Sequence, residues 1–167
     1  MAATRSLPSD KIAAGIAFVL GFAAIAGAWG SQLFGGLVPC ELCLEQRLAY
    51  YWGLPILALV LILWNRLPLA VWYVAMAIVA LIFVWSTYMG GYHAGVEWGF
   101  WPGPTDCGAV ALPPSGGGSL LDQLDAVIPP SCDQAAWRFL GLSFAGWNVV
   151  ASLFLAAIAW AAALRKA

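Results

Sequence analysis

Four long apolar runs limit what this sequence can fold into more than any other feature. They cover residues 12–34, 44–64, 67–88 and 140–164, and each is about as long as the roughly 20 helical residues that cross a bilayer. The runs are continuous rather than alternating, which favours helices over a membrane β-barrel. Only 9% of the residues are charged. The sequence therefore predicts an all-α membrane protein, a four-transmembrane-helix bundle that forms a single domain over residues 1–167.

Basic residues indicate which ends of these helices face the cytoplasm. With four spans, five of the seven lie on one side: Arg5, Lys11, Arg66, Arg165 and Lys166. By the positive-inside rule that side is cytoplasmic, so both termini are inside and all four cysteines are outside. A cleaved signal peptide is the alternative interpretation of the first run, and it would leave three spans.

One long segment outside the membrane, residues 93–139, joins the third and fourth runs. It is rich in glycine and proline and too short for a core of its own. Residues 119–128 place leucine, valine and isoleucine at helical spacing, with aspartate and glutamine on the other face. We expect a short amphipathic helix there, which either lies on the bilayer surface or packs on protein.

The four cysteines form two pairs. Cys40 and Cys43 stand at the start of the second run, and Cys107 and Cys132 lie in the loop. The bacterial periplasm permits disulfides, so either redox exchange or structural bridges fit this placement. Structural bridges explain the loop pair but not a Cys-x-x-Cys motif beside lipid. A four-cysteine zinc site is a third interpretation, but the loop pair lacks the short ligand spacing of zinc knuckles, and no metal ligands are predicted.

Arg47 follows Cys43 by four residues and Cys40 by seven, so the three side chains project from one helical face. A guanidinium near the membrane is costly without a partner. Beside Cys43 it would favour the thiolate, as would the helix N-terminus. It could also donate hydrogen bonds to a carbonyl oxygen that gains negative charge on reduction. Snorkelling to lipid phosphate, or pairing with Glu41 or Glu45, is the alternative.

His93 is the only histidine of the chain and follows the third run on the side of the cysteines. Imidazole titrates near neutral pH, so this side chain could relay a proton when a carrier is reduced. An interfacial histidine that only forms hydrogen bonds is the equal alternative. The sequence marks His93 as a candidate and leaves its role open.

The motif Cys-x-x-Cys-x-x-x-Arg over residues 40–47, followed by a cysteine pair between the third and fourth spans, resembles the disulfide bond formation protein B (DsbB) family. The resemblance covers nearly the whole chain. It implies a thiol:quinone oxidoreductase of the bacterial inner membrane, with its active cysteines on the periplasmic side. Such an enzyme reoxidises a periplasmic thioredoxin-like dithiol oxidase (DsbA-like) and passes the electrons to a membrane quinone, either ubiquinone or menaquinone.

The resemblance also implies roles for individual residues. Cys107 would be attacked by the reduced partner, and Cys132 would attack the Cys40–Cys43 bridge at Cys40. Cys43 would then be the thiolate that faces the quinone ring. Three further residues are placed at or near the quinone by the same resemblance: Arg47, Gln46 and His93.

Two alternatives remain beside this family. The vitamin K epoxide reductase-like proteins are also four-helix, quinone-linked enzymes, but their loop cysteines precede a Cys-x-x-Cys motif in the final helix, and the order here is reversed. A non-catalytic membrane protein with structural disulfides is the alternative from another class. The net charge of −1 gives no sign of a nucleic-acid partner.

Overall fold

The computed structural model describes residues 8–104 and 131–164. This part of the chain contains four helices: α1 (Pro8–Leu33), α2 (Glu41–Ile62), α3 (Leu69–Glu97) and α4 (Phe144–Leu164). A two-stranded antiparallel hairpin, β1 (Arg138–Phe139) and β2 (Leu142–Ser143), precedes α4. Cys107, the amphipathic helix predicted at residues 119–128, and the terminal basic residues Arg5, Arg165 and Lys166 lie outside the described residues.

Three of these helices, α1, α3 and α4, are long and apolar enough to cross a membrane. The prediction of an all-helical membrane protein is confirmed to this extent. Helix α2 has 22 residues, but Glu41, Glu45 and Arg47 charge its first two turns. That α2 also crosses the membrane is therefore a proposal.

Helix α3 extends beyond the predicted end of the third run at residue 88 and continues to Glu97. His93, expected at the start of the loop, is consequently a buried residue of this helix. The helix contains no proline, and Gly90, Gly91 and Gly95 keep helical geometry, so it continues until Gly99, whose φ of 73° ends it. Residues 93–97 thus belong to the bundle rather than to the loop.

The fourth helix begins later than the apolar run, which starts at residue 140. Leu140 and Gly141 form the two-residue turn of the hairpin, with φ of 51° and 83°, as tight hairpin turns require. Ser143 then accepts a hydrogen bond from the Gly146 N–H at 3.2 Å. A serine in this position caps a helix, so α4 starts at Phe144.

The core lies between the helices, and α3 against α4 is their most extensive contact. Helix α3 contributes a stripe at helical spacing, formed by Trp72, Met76, Val79 and Phe83, all of them buried. Large apolar side chains such as Trp52 and Val74 are exposed on the outside of the bundle. Helices that are apolar on every face suit a lipid environment. The polar exceptions lie near the cysteines.

Candidate functional site

Cys40 and Cys43 form a compact pair at the N-terminus of α2. Cys40 caps the helix, with its sulfur accepting from the Cys43 backbone N–H at 3.4 Å. The two Sγ atoms lie 2.8 Å apart, and both cysteines are free. The hydrogen bond to Cys43, together with burial, raises the pKa of the Cys40 thiol. Because both sulfurs sit in one helical turn, the pair is placed to cycle between dithiol and disulfide.

Cys132 lies beside this pair. It is buried and packs in a small apolar cluster with Cys40, Leu42 and Val96. It is disulfide-bonded, whereas Cys40 and Cys43 are not. The structure therefore brings a loop cysteine to the Cys40 side of the dithiol, as exchange between two cysteine pairs requires.

Arg47 points from α2 into α1 rather than out to lipid. Its guanidinium donates to Gln32 Oε1 at 2.8 Å and to the Ala28 carbonyl at 3.3 Å. It also lies 5.5 Å from the centre of the Trp29 ring. In the described part of the chain it forms no salt bridge, and Glu41 and Glu45, the partners considered from the sequence, are exposed.

A cavity of about 430 Å³ opens between α1, α2 and α4, within the size range of small-molecule sites. Its wall is mostly apolar. Polar side chains from α2 and α4 also line it, among them Cys43, Gln46, Arg47, Tyr50 and Asn148. Cys40 and His93 are not among the lining residues. The two cysteines therefore differ in one respect: Cys40 is buried in the cluster with Cys132, whereas Cys43 contacts that cluster and also lines the cavity.

Behind the dithiol, a hydrogen-bonded polar group crosses the bundle. His93 Nε2 lies 3.6 Å from Cys40 Sγ, and Gln46 Nε2 lies 2.8 Å from His93 Nδ1. Asn148 on α4 donates to Gln46 Oε1 at 2.8 Å, and Tyr50 donates to Asn148 Oδ1 at 2.7 Å. His93 is thus linked to the cavity through Gln46 and through the two cysteines.

Sequence reasoning missed four members of this polar group: Tyr50, Ser86, Asn148 and Ser152. The sequence did contain a signal for these residues. Polar side chains within membrane helices cost free energy in contact with lipid, so they usually face a partner. Asn148 and Ser152 stand four residues apart in the fourth apolar run, so they share one helical face.

Glu97 is a further acidic group that the sequence did not single out. Its side chain is only 4% exposed, and Oε1 lies 3.8 Å from His93 Nε2. A hydrogen bond with Ser143 ties it to the start of α4. The carboxylate therefore stands next to the histidine on the side of the dithiol that faces away from the cavity.

Donor atoms of Cys40, Cys43 and His93 all lie within 4.8 Å of one another, close enough to hold a metal ion. Gln46 also donates to Leu42 O, so its Nε2 is the donor in the bond to His93 Nδ1. The proton of a neutral imidazole then resides on Nε2, the nitrogen that faces sulfur. The hydrogen bonds favour a histidine that donates to Cys40 over one that binds a metal.

Long apolar helices and a cysteine pair that opens into an apolar cavity define a membrane thiol oxidoreductase. The chain belongs to the family described as Disulfide bond formation protein DsbB, whose family model matches residues 10–162. The resemblance noted in the sequence is confirmed, and membership assigns the chain to disulfide bond formation. Searches of curated proteins and of solved structures found no match.

Proposed function

We propose that this protein reoxidises a periplasmic, DsbA-like thiol oxidase by thiol–disulfide exchange and passes the electrons to a membrane quinone. The observation that carries the proposal is the difference between the two sides of the Cys40–Cys43 pair. Both cysteines contact the buried cluster that contains Cys132, which reaches this site from the loop, but only Cys43 of the pair also lines the apolar cavity. Electrons that enter at Cys40 would therefore leave at Cys43.

The exchange steps follow from thiolate chemistry. A thiolate of the reduced partner attacks Cys107 of a Cys107–Cys132 disulfide, and the partner's second thiolate resolves the mixed disulfide. The Cys132 thiolate attacks Cys40 of the Cys40–Cys43 disulfide, which releases Cys43 as a thiolate. Attack of Cys107 on Cys132 then restores the loop disulfide and leaves the reduced Cys40–Cys43 pair. One electron pair has moved from the partner to Cys40 and Cys43.

A quinone fits the cavity in size, polarity and charge. The apolar wall suits a ring that partitions into lipid, and Arg47 stands at the polar edge beside Cys43. No carboxylate neutralises Arg47 in the described chain, so its guanidinium can donate to an oxygen that gains negative charge. Gln46 and Asn148 would bind at the same edge. When bound, the quinone accepts two electrons and two protons and leaves as quinol, and either ubiquinone or menaquinone suits this chemistry.

We also propose that α2 is the fourth span, which makes residues 1–167 one four-span domain of the bacterial inner membrane. Arg47 is 8% exposed and bonded to Gln32 and Ala28, so its charge faces protein rather than lipid. After Arg47 the helix carries no charge up to Ile62. Both termini would then be cytoplasmic and the cysteines periplasmic.

The direct experiment uses the full-length protein in detergent, a reduced thioredoxin-like oxidase and a water-soluble quinone analogue. Loss of quinone absorbance and oxidation of the partner should proceed together, and Cys43→Ser should abolish both. Failure of the intact protein to reduce quinone, with both cysteine pairs able to cycle, would support the alternative of a membrane protein with structural disulfides.

A further inference from the structure

The polar group behind the dithiol is a chain of hydrogen bonds whose donors all point the same way. Tyr50 O–H donates to Asn148 Oδ1, and Asn148 Nδ2–H donates to Gln46 Oε1. Gln46 Nε2–H donates to His93 Nδ1 at 2.8 Å. Beginning at Tyr50, each donor points to the next residue in the direction of the cysteines.

Backbone carbonyls fix this direction. Gln46 Nε2 also lies 3.1 Å from Leu42 O, and Asn148 Nδ2 lies 3.4 Å from Ser86 O. A carbonyl oxygen only accepts, so in both amides the nitrogen must take the position of the donor. Rotating either amide would place its oxygen against another oxygen.

The chain continues from His93 to sulfur. Since Nδ1 accepts from Gln46, the neutral ring carries its proton on Nε2, which lies 3.6 Å from Cys40 Sγ and 3.8 Å from Glu97 Oε1. His93 also hydrogen-bonds to the backbone of Cys132, so Cys40 shares this donor with two oxygen acceptors. Cys40 Sγ accepts a second hydrogen bond from the Cys43 backbone N–H. Cys40 Sγ in turn donates to Cys43 Sγ, 2.8 Å away.

We propose that Asn148 and Gln46 are positioning residues that lock His93 as a donor to Cys40 and so stabilise negative charge on the Cys43 sulfur. This deepens the proposed function and rests on it, because a Cys43 thiolate is the group that would face the quinone. Aligned hydrogen bonds polarise one another, so the remote members contribute. Reaching this state from the dithiol releases the Cys43 proton to water, and no electron moves.

Charged groups near the dithiol act in two directions. Arg47, on the same helix as Cys43, attracts a thiolate, whereas Glu97 on α3 repels it. Helix α4 has no charged residue between Phe144 and Leu164, and the charges of α1 lie near its first residue. Arg47 and the hydrogen-bond chain together must therefore outweigh Glu97.

The test measures Cys43 alkylation in the full-length reduced protein, without quinone or partner. Iodoacetamide reacts with thiolates, and peptide mass spectrometry separates Cys43 from Cys40. At neutral pH, His93→Leu should lower the Cys43 rate about fivefold, as expected for the loss of one hydrogen bond to a neutral group. Gln46→Met should lower the Cys43 alkylation rate about threefold, because His93 loses the hydrogen bond from Gln46 that polarises its own donor. Thr87→Val is the matched control, because the Thr87 hydroxyl donates to Phe83 O within its own helix.

Two further variants distinguish an effect of the directed hydrogen-bond chain from a general effect of packing. His93→Gln keeps an N–H donor and should recover most of the wild-type rate. Asn148→Leu should slow alkylation in the wild-type background and have no further effect on Gln46→Met, because the chain is already broken there. Additive effects of Asn148→Leu and Gln46→Met would overturn the inference. Alkylation at the wild-type rate in a His93→Leu protein, shown to be folded by its thermal unfolding transition, would overturn it as well. Failure of the wild-type protein to reduce quinone would instead overturn the proposed function and leave the alkylation result standing.

Discussion

The sulfur atoms of Cys40 and Cys43 lie 2.8 Å apart, yet the two residues have different neighbours. Cys40 packs with Cys132 in an apolar cluster, and Cys43 lines a cavity with Arg47. One helical turn therefore lies between the loop cysteine Cys132 and an apolar site.

Arg47→Ala should weaken quinone binding, because the variant removes the only cation that lines the cavity among the described residues. We expect the apparent KM for a quinone analogue to rise about tenfold or more, as for the loss of a charge-assisted hydrogen bond. Steady-state kinetics measure the effect, and thiol counting should show the loop disulfide intact. Arg66→Ala, an exposed arginine outside the cavity, is the control. Unchanged kinetics in Arg47→Ala would show that the guanidinium does not contact the quinone.

Gln32→Leu should act through Arg47. Gln32 Oε1 accepts from the guanidinium at 2.8 Å, so the variant frees Arg47 to leave the cavity edge. The rise in KM should be smaller than for Arg47→Ala, about threefold, since one of several contacts is lost. In the double variant the effects should not add, because Gln32 has no role once Arg47 is absent. Full additivity would mean that Gln32 acts independently.

Gly90→Val should separate α3 from α4 at the polar chain. A Cβ at Gly90 would lie 3.0 Å from Val149 Cγ2 and 3.1 Å from Asn148 Nδ2, whereas one at Gly91 would contact nothing within 4 Å. Gly90→Val should lower the free energy of unfolding by about 1–3 kcal/mol relative to Gly91→Val, as overpacking does. Denaturant titration in detergent measures this difference. Equal stabilities would contradict the close helix contact.

Cys132→Ser should trap the partner. In this variant the Cys107 thiolate attacks the disulfide of the oxidised partner and forms a mixed disulfide, and the Cys132 thiol that would displace the partner is absent. Non-reducing electrophoresis should show a covalent complex that Cys107→Ser does not form. A complex that forms through Cys43 instead would reverse the assigned order of attack.

Local spacing was sufficient to predict part of this site. The motif over residues 40–47 places Cys43 and Arg47 one helical turn apart, and both line the cavity as expected. Cys40 departs from this face because it caps the helix in an extended conformation. The apolar runs likewise predicted all four helices, because length and hydropathy determine them. These features depend on neighbours in sequence.

Contacts between distant segments were not predictable in the same way. Asn148 meets Gln46 across 102 positions of sequence, and no single-helix pattern indicates which face of α4 turns to α2. His93 was recognised as a candidate, but its burial behind Cys40 depends on α3 continuing to Glu97. The direction of the hydrogen-bond chain also required the backbone carbonyls that the packed helices provide.

The central claim is that electrons leave the protein at Cys43 and enter a quinone, and a single-turnover reaction tests it most directly. Full-length protein, reduced anaerobically and freed of reductant, is mixed with a quinone analogue while quinone absorbance and free thiols are followed. We expect one quinone to be reduced for each cysteine pair that is oxidised, with neither reaction in Cys43→Ser. Persistence of both the quinone and the reduced Cys40–Cys43 pair in the wild-type protein would contradict the account.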